Sequence, residues 1–236
     1  MIERPERAMV VFAHPDDEIG CGGTMIKWIA EGTNVLFVLC TNGDKGTEDT
    51  TLTSERLAEI RAIEQHNAAR AMGVEEVVFL GYPDGELEDS HEFRGQIVRE
   101  IRRFRPDIVL CHDPLPGDRH NHRDHRICGT VTLDALFPYA RDPLHYPNLI
   151  KIGLQSHKVG TALCWEGSNP NEFQDFTNVM DKKVQAMLCH KSQFLDRSRK
   201  DPNSRPGDFM RENARRHGEY VGVEYAESFR KIEFRL

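Results

Sequence analysis

Four short apolar runs divide the first half of the chain, at 8–12, 35–40, 77–80 and 107–111 after its leading Asp107. Their apolar residues are continuous rather than alternating, as in strands covered on both faces of a parallel sheet. The segments between them carry helical periods. The first helix, 24–31, places Met25, Ile26, Trp28 and Ile29 on one face and stops at Gly32. The second opens on Thr53 or Ser54 and runs to about Met72 before Gly73, with a stripe of Leu57, Ile60, Ala68 and Ala71. The third opens at Asp89, which stands at capping-box spacing from Glu92. It carries Phe93, Ile97, Ile101 and Phe104 before Pro106. Strand-then-helix units in succession predict an α/β fold with three layers: a Rossmann-like, mostly parallel sheet covered by helices on both faces. The doubly wound order 3-2-1-4 makes strands one and four neighbours, and the crevice beyond their carboxyl ends is where such sheets bind ligands.

Beyond the fourth strand a helix is expected over 125–137, and the pattern is less regular after Pro138. Strands are expected at 159–164 and 173–177, and a helix at 178–189 that sets Val179, Lys183, Met187 and His190 along one line. The polar stretch 196–208, with Pro202 and Pro206, reads as a loop or lid, and 209–216 as helix. No repeat or low-complexity tract interrupts the chain. The expectation is one domain over 1–236, with a Rossmann-like metal-binding core at 1–140 and a C-terminal portion, 141–236, that carries substrate loops.

Two polar clusters leave the strands that should be neighbours. After strand one comes His14-Pro15-Asp16-Asp17-Glu18; after strand four comes His120-Asn121-His122-Arg123-Asp124-His125. Imidazole and carboxylate donors suit a divalent ion such as zinc. The candidate ligands are His14, Asp17 and one or two of His120, His122 and His125. Asp124 can accept the second ring proton of a ligand histidine. Asp16, beside a ligand, is placed to take a proton from a metal-activated water. The plain alternative is that the acids cap a helix and the second cluster is a polar surface loop. Gly20, Gly22 and Gly23 let the first helix approach the sheet closely. As a dinucleotide cradle they fall short of the full glycine fingerprint, and His-Pro-Asp-Asp would set negative charge where a pyrophosphate lies. Arg61 and Glu64 read either as an intrahelical ion pair or as an arginine aimed at the ligand edge and oriented by Glu64.

Composition narrows the field. With 236 residues, 39% apolar and 29% charged, the chain reads as globular, and a net charge of −7 argues against nucleic acid as the main partner. Neither a signal-peptide core nor a run of membrane-spanning length is present, so the expected location is cytoplasmic, with no membrane partner. Six scattered cysteines without a Cys-x-x-Cys pair read as reduced thiols; Cys40 and Cys111 read as core residues, and thiolate-held zinc is disfavoured.

Read together, Ala13-His14-Pro15-Asp16-Asp17-Glu18, Gly22-Gly23-Thr24, Thr41-Asn42-Gly43-Asp44-Lys45-Gly46-Thr47, Leu80-Gly81-Tyr82-Pro83-Asp84-Gly85 and His122-Arg123-Asp124-His125 occur in an order that resembles the PIG-L/LmbE family of zinc-dependent N-acetylglucosaminyl deacetylases. His190-Lys191-Ser192-Gln193-Phe194 and the stretch 222–229 resemble its C-terminal motifs, so the likeness covers nearly the whole chain. It implies His14, Asp17 and His125 as zinc ligands, Asp16 as general base and protonated His122 as the support of the oxyanion. Arg61 and Asp84 match positions that hold sugar hydroxyls. Arg123 stands where the family commonly has proline. The resemblance further implies hydrolysis of the acetamide of a small amino-sugar substrate, in a homo-oligomer, trimer or hexamer. The donor set would also accept Fe2+ or another divalent ion in place of Zn2+. The competing expectations are an amidase on another N-acyl group such as a thiol-sugar conjugate, a nucleotide-binding module that needs no metal, and a zinc-retaining binder without turnover.

Overall fold

Each apolar run becomes a parallel strand, and its alternate side chains enter opposite cores. In β1 (Arg7–Phe12), Ala8, Val10 and Phe12 face one core while Met9 and Val11 face the other. In β2 (Asn34–Thr41), Phe37 and Leu39 oppose Leu36, Val38 and Cys40 in the same way. β3 is Glu76–Tyr82 and β4 is Ile108–His112. The computed structural model describes residues 2–115, 121–194 and 207–235; His120 and 196–206 of the expected lid lie outside the described residues.

Three further strands, β5 (Thr161–Trp165), β6 (Glu172–Asp175) and β7 (Ala226–Glu233), complete a seven-stranded sheet of order β3-β2-β1-β4-β5-β7-β6. The expected 3-2-1-4 order is therefore present. β1 pairs in parallel with β2 and β4, whereas β7 runs antiparallel between β5 and β6. One face is covered by α1 (Gly22–Ala30), α6 (Met180–Met187) and α8 (Asp208–Glu219), the other by α3 (His91–Phe104) and α4 (Arg123–Asp134). α2 (Ser54–Met72) and the short α5 (Pro147–Lys151) and α7 (Lys191–Phe194) complete the helices among the described residues. None of the described helices is long and apolar enough to cross a membrane.

The boundaries correct the sequence reading in three places. The cap of α3 is Ser90, one residue after Asp89, and its hydroxyl accepts from the Phe93 N–H at 3.1 Å. α4 begins at Arg123, because His122 caps it, and ends at Asp134 before an irregular turn, Ala135–Ala140, that holds the cis Phe137–Pro138 bond. The expected 178–189 helix starts with a 3-10 turn, Thr177–Val179, and reaches only Met187, which leaves His190 outside it. The close approach of α1 is real: a Cβ on Gly23 would lie 2.3 Å from the Phe176 ring.

Candidate active site

His14, Asp16, Asp17, His122, Asp124 and His125 converge beyond the carboxyl ends of β1 and β4, whereas Glu18 turns to His190 and Arg123 to the Leu87 carbonyl. The loop after β1 curls so that the His14 N–H donates to Asp17 Oδ2 at 2.7 Å, while Thr41 at the end of β2 ties down the Ala13 carbonyl. Asp16 sits at the top of this curl with φ 102°, a backbone conformation that side-chain-bearing residues rarely adopt. His125 arrives from the first turn of α4. His14 Nδ1 is 3.2 Å from Asp17 Oδ2 and 3.2 Å from His125 Nε2, and His125 Nε2 is 3.2 Å from Asp17 Oδ1.

The far side of each ring is held by carboxylate. His14 Nε2 lies 3.0 Å from Asp84 Oδ1 and 3.3 Å from Asp124 Oδ2. Asp124, wholly buried, also accepts from the backbone of Gly85 and Leu87. His125 Nδ1 lies 3.2 Å from Glu166 Oε2, and the same oxygen is 3.1 Å from His112 Nδ1. His112 stacks on His125 with ring centroids 3.9 Å apart, and its Nε2 accepts from the Ala13 N–H. His112, at the last position of β4, and Glu166, just beyond β5, were not singled out from sequence. Glu166 stands alone and His112 is followed only by Asp113; the one available signal was a charged or imidazole side chain at the ligand edge of the sheet.

This packing leaves an excess of carboxylate. Burial alone would lower the pKa of His14, but Asp124, Asp17 and Asp84 overcome it and push it up to about 12. His125 is likewise raised against burial, by Asp17 and Glu166, to about 10. Glu166 is held at about 2: burial opposes ionisation, but the bonds to His112 and His125 prevail. Asp16 behaves in the opposite sense. Burial and the neighbouring Asp17 charge push its carboxyl up to about 7 against the pull of Arg61 and His190. The site is short of positive charge, which either ring protons or a bound cation supplies.

Among the described residues, three groupings of donor atoms could hold a cation: His14 with His122 and His125, Asp17 with His112 and His125, and His14 with Asp84 and Asp124. Their lone pairs are not equally available. His112 Nε2 is shared between the Ala13 N–H at 3.3 Å and Asp17 Oδ2 at 3.2 Å, and His122 Nδ1 accepts the Asp124 N–H at 3.2 Å. His14 Nδ1, His125 Nε2 and the Asp17 carboxylate face one another with no backbone N–H on either nitrogen.

Two expectations change here. His122 is not favoured as a cation: burial and the neighbouring His14 ring lower its pKa, and its Nδ1 already accepts a backbone bond. A neutral ring of this tautomer presents Nε2–H as a donor. Arg61 is 3% exposed and lies beneath the site rather than open to it. It donates to the carbonyls of Gly43 and Pro15 at 3.0 and 2.5 Å and stands 3.5 Å from Asp16 Oδ2. Glu64 turns away from it, towards Ser192.

The PIG-L family model, described as GlcNAc-PI de-N-acetylase, matches residues 9–136. The chain belongs to the PIG-L family. Among its relatives, the diacetylchitobiose deacetylase of Thermococcus kodakarensis is 34% identical over 229 residues, covering 96% of this chain and 83% of the relative. The mycothiol S-conjugate amidase of Streptomyces coelicolor is 34% identical over 163 residues, which cover 60% of this chain and 55% of that protein. Among solved structures, N,N'-diacetylchitobiose deacetylase from Pyrococcus horikoshii superposes with a TM-score of 0.89 at 33% identity, over 97% of this chain and 84% of that one. A PIG-L chain is metal-dependent, and His14, Asp17 and His125 each belong to at least one of the donor groupings among the described residues.

Proposed function

We propose that this PIG-L chain is a zinc-dependent N-deacetylase that hydrolyses the acetamide of an N-acetylglucosamine-type amino sugar or its conjugate. The observation that carries this reading is the convergence of Asp16 with His14, Asp17 and His125 at one sheet edge, in a chain similar along 96% of its length to a diacetylchitobiose deacetylase. The donors suit zinc: three ligand atoms on a tetrahedral ion with bonds of about 2.0–2.2 Å stand roughly 3.3 Å apart. His14 Nδ1 and His125 Nε2 stand 3.2 Å apart, close to that spacing; Asp17 meets the first through Oδ2 and the second through Oδ1, each at 3.2 Å, and the carboxylate excess favours a cation there. When bound, the ion lowers the pKa of water and polarises a carbonyl.

The chain's own groups divide the remaining work. Asp16, with a pKa drawn up to about 7, takes a proton from the water that attacks the acetyl carbon and returns it to the departing amine nitrogen. His122 donates Nε2–H to the oxyanion as a neutral imidazole. Asp124 and Asp84 hold His14, and Glu166 holds His125, in the tautomers that leave Nδ1 and Nε2 free for the ion. In this reading Asp84, whose Oδ1 meets His14, offers its other oxygen to a sugar hydroxyl, while Arg61 braces Asp16 from beneath. The homo-oligomer, trimer or hexamer, belongs to the same proposal.

The test is acetate release from N-acetylglucosamine, its disaccharide and an N-acetylglucosaminyl-inositol, with zinc-loaded and chelator-treated protein. Metal-dependent release from one of them is expected. Asp16→Asn should keep the zinc and lose roughly 100- to 10,000-fold in kcat. Near-normal turnover by that variant would remove Asp16 as the base. A second reading, an amidase on a thiol-sugar conjugate, is favoured by the similarity to the Streptomyces coelicolor enzyme. It predicts release from such a conjugate and none from the acetyl sugars.

A further inference from the structure

We propose that His190 is a positioning residue for Asp16 and acts through Glu18. This rests on the reading of Asp16 as the general base. Asp16 stands at φ 102° and ψ −19°. A side-chain-bearing residue persists there only where its surroundings over-determine it. Two contacts do so. From beneath, Arg61 donates to the Pro15 carbonyl at 2.5 Å. From the other side, Glu18 Oε2 accepts the Asp16 N–H at 3.1 Å.

Glu18 has a partner of its own. Its Oε1 lies 2.7 Å from His190 Nε2, and both side chains are wholly buried. His190 Nδ1 has no partner among the described residues, so the polar contact of the ring is spent on Glu18. The histidine follows Glu18 by 172 positions and enters from the turn between α6 and α7. The residues after it bind the elements that flank Arg61. Ser192 donates to both oxygens of Glu64 at 2.8 and 2.6 Å, and Glu64 lies one turn beyond Arg61 on α2. Gln193 Nε2 donates to the Gly46 carbonyl at 2.9 Å, in the loop whose Gly43 carbonyl accepts from Arg61. The segment 190–193 is therefore a strap that holds Glu18 directly and fastens α2 and the 43–46 loop on either side of Arg61.

Packing alone does not account for it. A leucine would fill the place of His190 without a buried, half-satisfied ring, and buried ion pairs are seldom more stabilising than apolar pairs of the same volume. What the pair does supply is a fixed carboxylate oxygen aimed at the N–H of the residue that must present the base. Misplacement of a reacting group by about 1 Å costs on the order of 100-fold in rate.

The experiment compares zinc-loaded wild type, His190→Leu and His190→Gln by acetate release, bound zinc and crystal structure. Glutamine keeps a side-chain N–H donor; leucine does not. His190→Leu is expected to bind zinc at the wild-type ratio, keep KM within about twofold and lose about 10- to 100-fold in kcat, with Asp16 leaving its positive φ. His190→Gln is expected to restore both kcat and the backbone. Wild-type kcat in His190→Leu, or a loss shared by His190→Gln with Asp16 still near φ 102°, overturns the proposal. If His190→Leu does not fold, His190→Asn, too short to reach Glu18, takes its place with the same expectations. If wild type releases no acetate, the deacetylase reading fails, and the Asp16 backbone in the variant structures decides the positioning claim by itself.

Discussion

His14 uses its two ring nitrogens in opposite directions: Nδ1 turns to Asp17 and His125, Nε2 to Asp84 and Asp124. Without a cation, the pKa values of about 12 and about 10 keep His14 and His125 protonated at neutral pH. A ligand nitrogen must be neutral, so metal binding expels those protons. At pH 7 we expect about two protons released per ion, with a further fraction from Asp16, and tighter binding as pH rises. Titration calorimetry in buffers of different ionisation enthalpy measures that number; a value near zero would remove one or both histidines from the ligand set. At this scale the sequence disclosed the residues that stand in clusters. His14, Asp16, Asp17, His122, Asp124 and His125 were legible because two short motifs leave neighbouring strands. His112, Glu166 and the role of His190 were not, since each is a single residue whose partners lie 41 or more positions away along the chain.

At the scale of elements, the site depends on how closely α4 lies against the end of β4. The helix presents His122 as its cap and Asp124 and His125 in its first turn, and one turn later Gly129 touches the strand. A Cβ on Gly129 would lie 2.4 Å from the His112 carbonyl oxygen, a backbone atom that cannot swing away. Gly129→Ala should therefore cost about 1–3 kcal/mol of stability and weaken zinc binding as α4 lifts. Thermal denaturation and metal titration check the two effects, and an unchanged zinc affinity would show that His125 does not depend on this contact. The four parallel strands were legible because both of their faces are buried and their apolar runs are unbroken. β7 was not. Its sequence, Ala226–Glu233, mixes Phe229 and Ile232 with Glu227, Arg230 and Lys231, whose charges are satisfied by Lys183, Asp113 and Glu233 rather than by water alone. A strand stabilised by ion pairs carries no apolar signature.

Across the whole molecule, the last strand closes on the first helix. Glu227 accepts from the N–H groups of Gly23 and Thr24 at 2.8 Å each and from the Thr24 hydroxyl, and its Oε1 meets Lys183 at 2.5 Å. The carboxylate thus satisfies the open amides at the start of α1 and neutralises a buried ammonium on α6. Glu227→Ala leaves Lys183 buried without its counter-ion and should cost about 3–5 kcal/mol. Chemical denaturation reads that loss, and a change below about 1 kcal/mol would mean that solvent reaches Lys183 in the variant. The same long-range closure sets an order of events during synthesis. His14, Asp17 and His125 leave the ribosome before His190 and Glu227 do. A chain that ends after α4 contains the three donors of the proposed site but lacks Glu166, the partner of His125, as well as the histidine of Glu18 and the acidic cap of α1. The proposed donors and the groups that fix Asp16 and the start of α1 are thus drawn from opposite ends of the sequence.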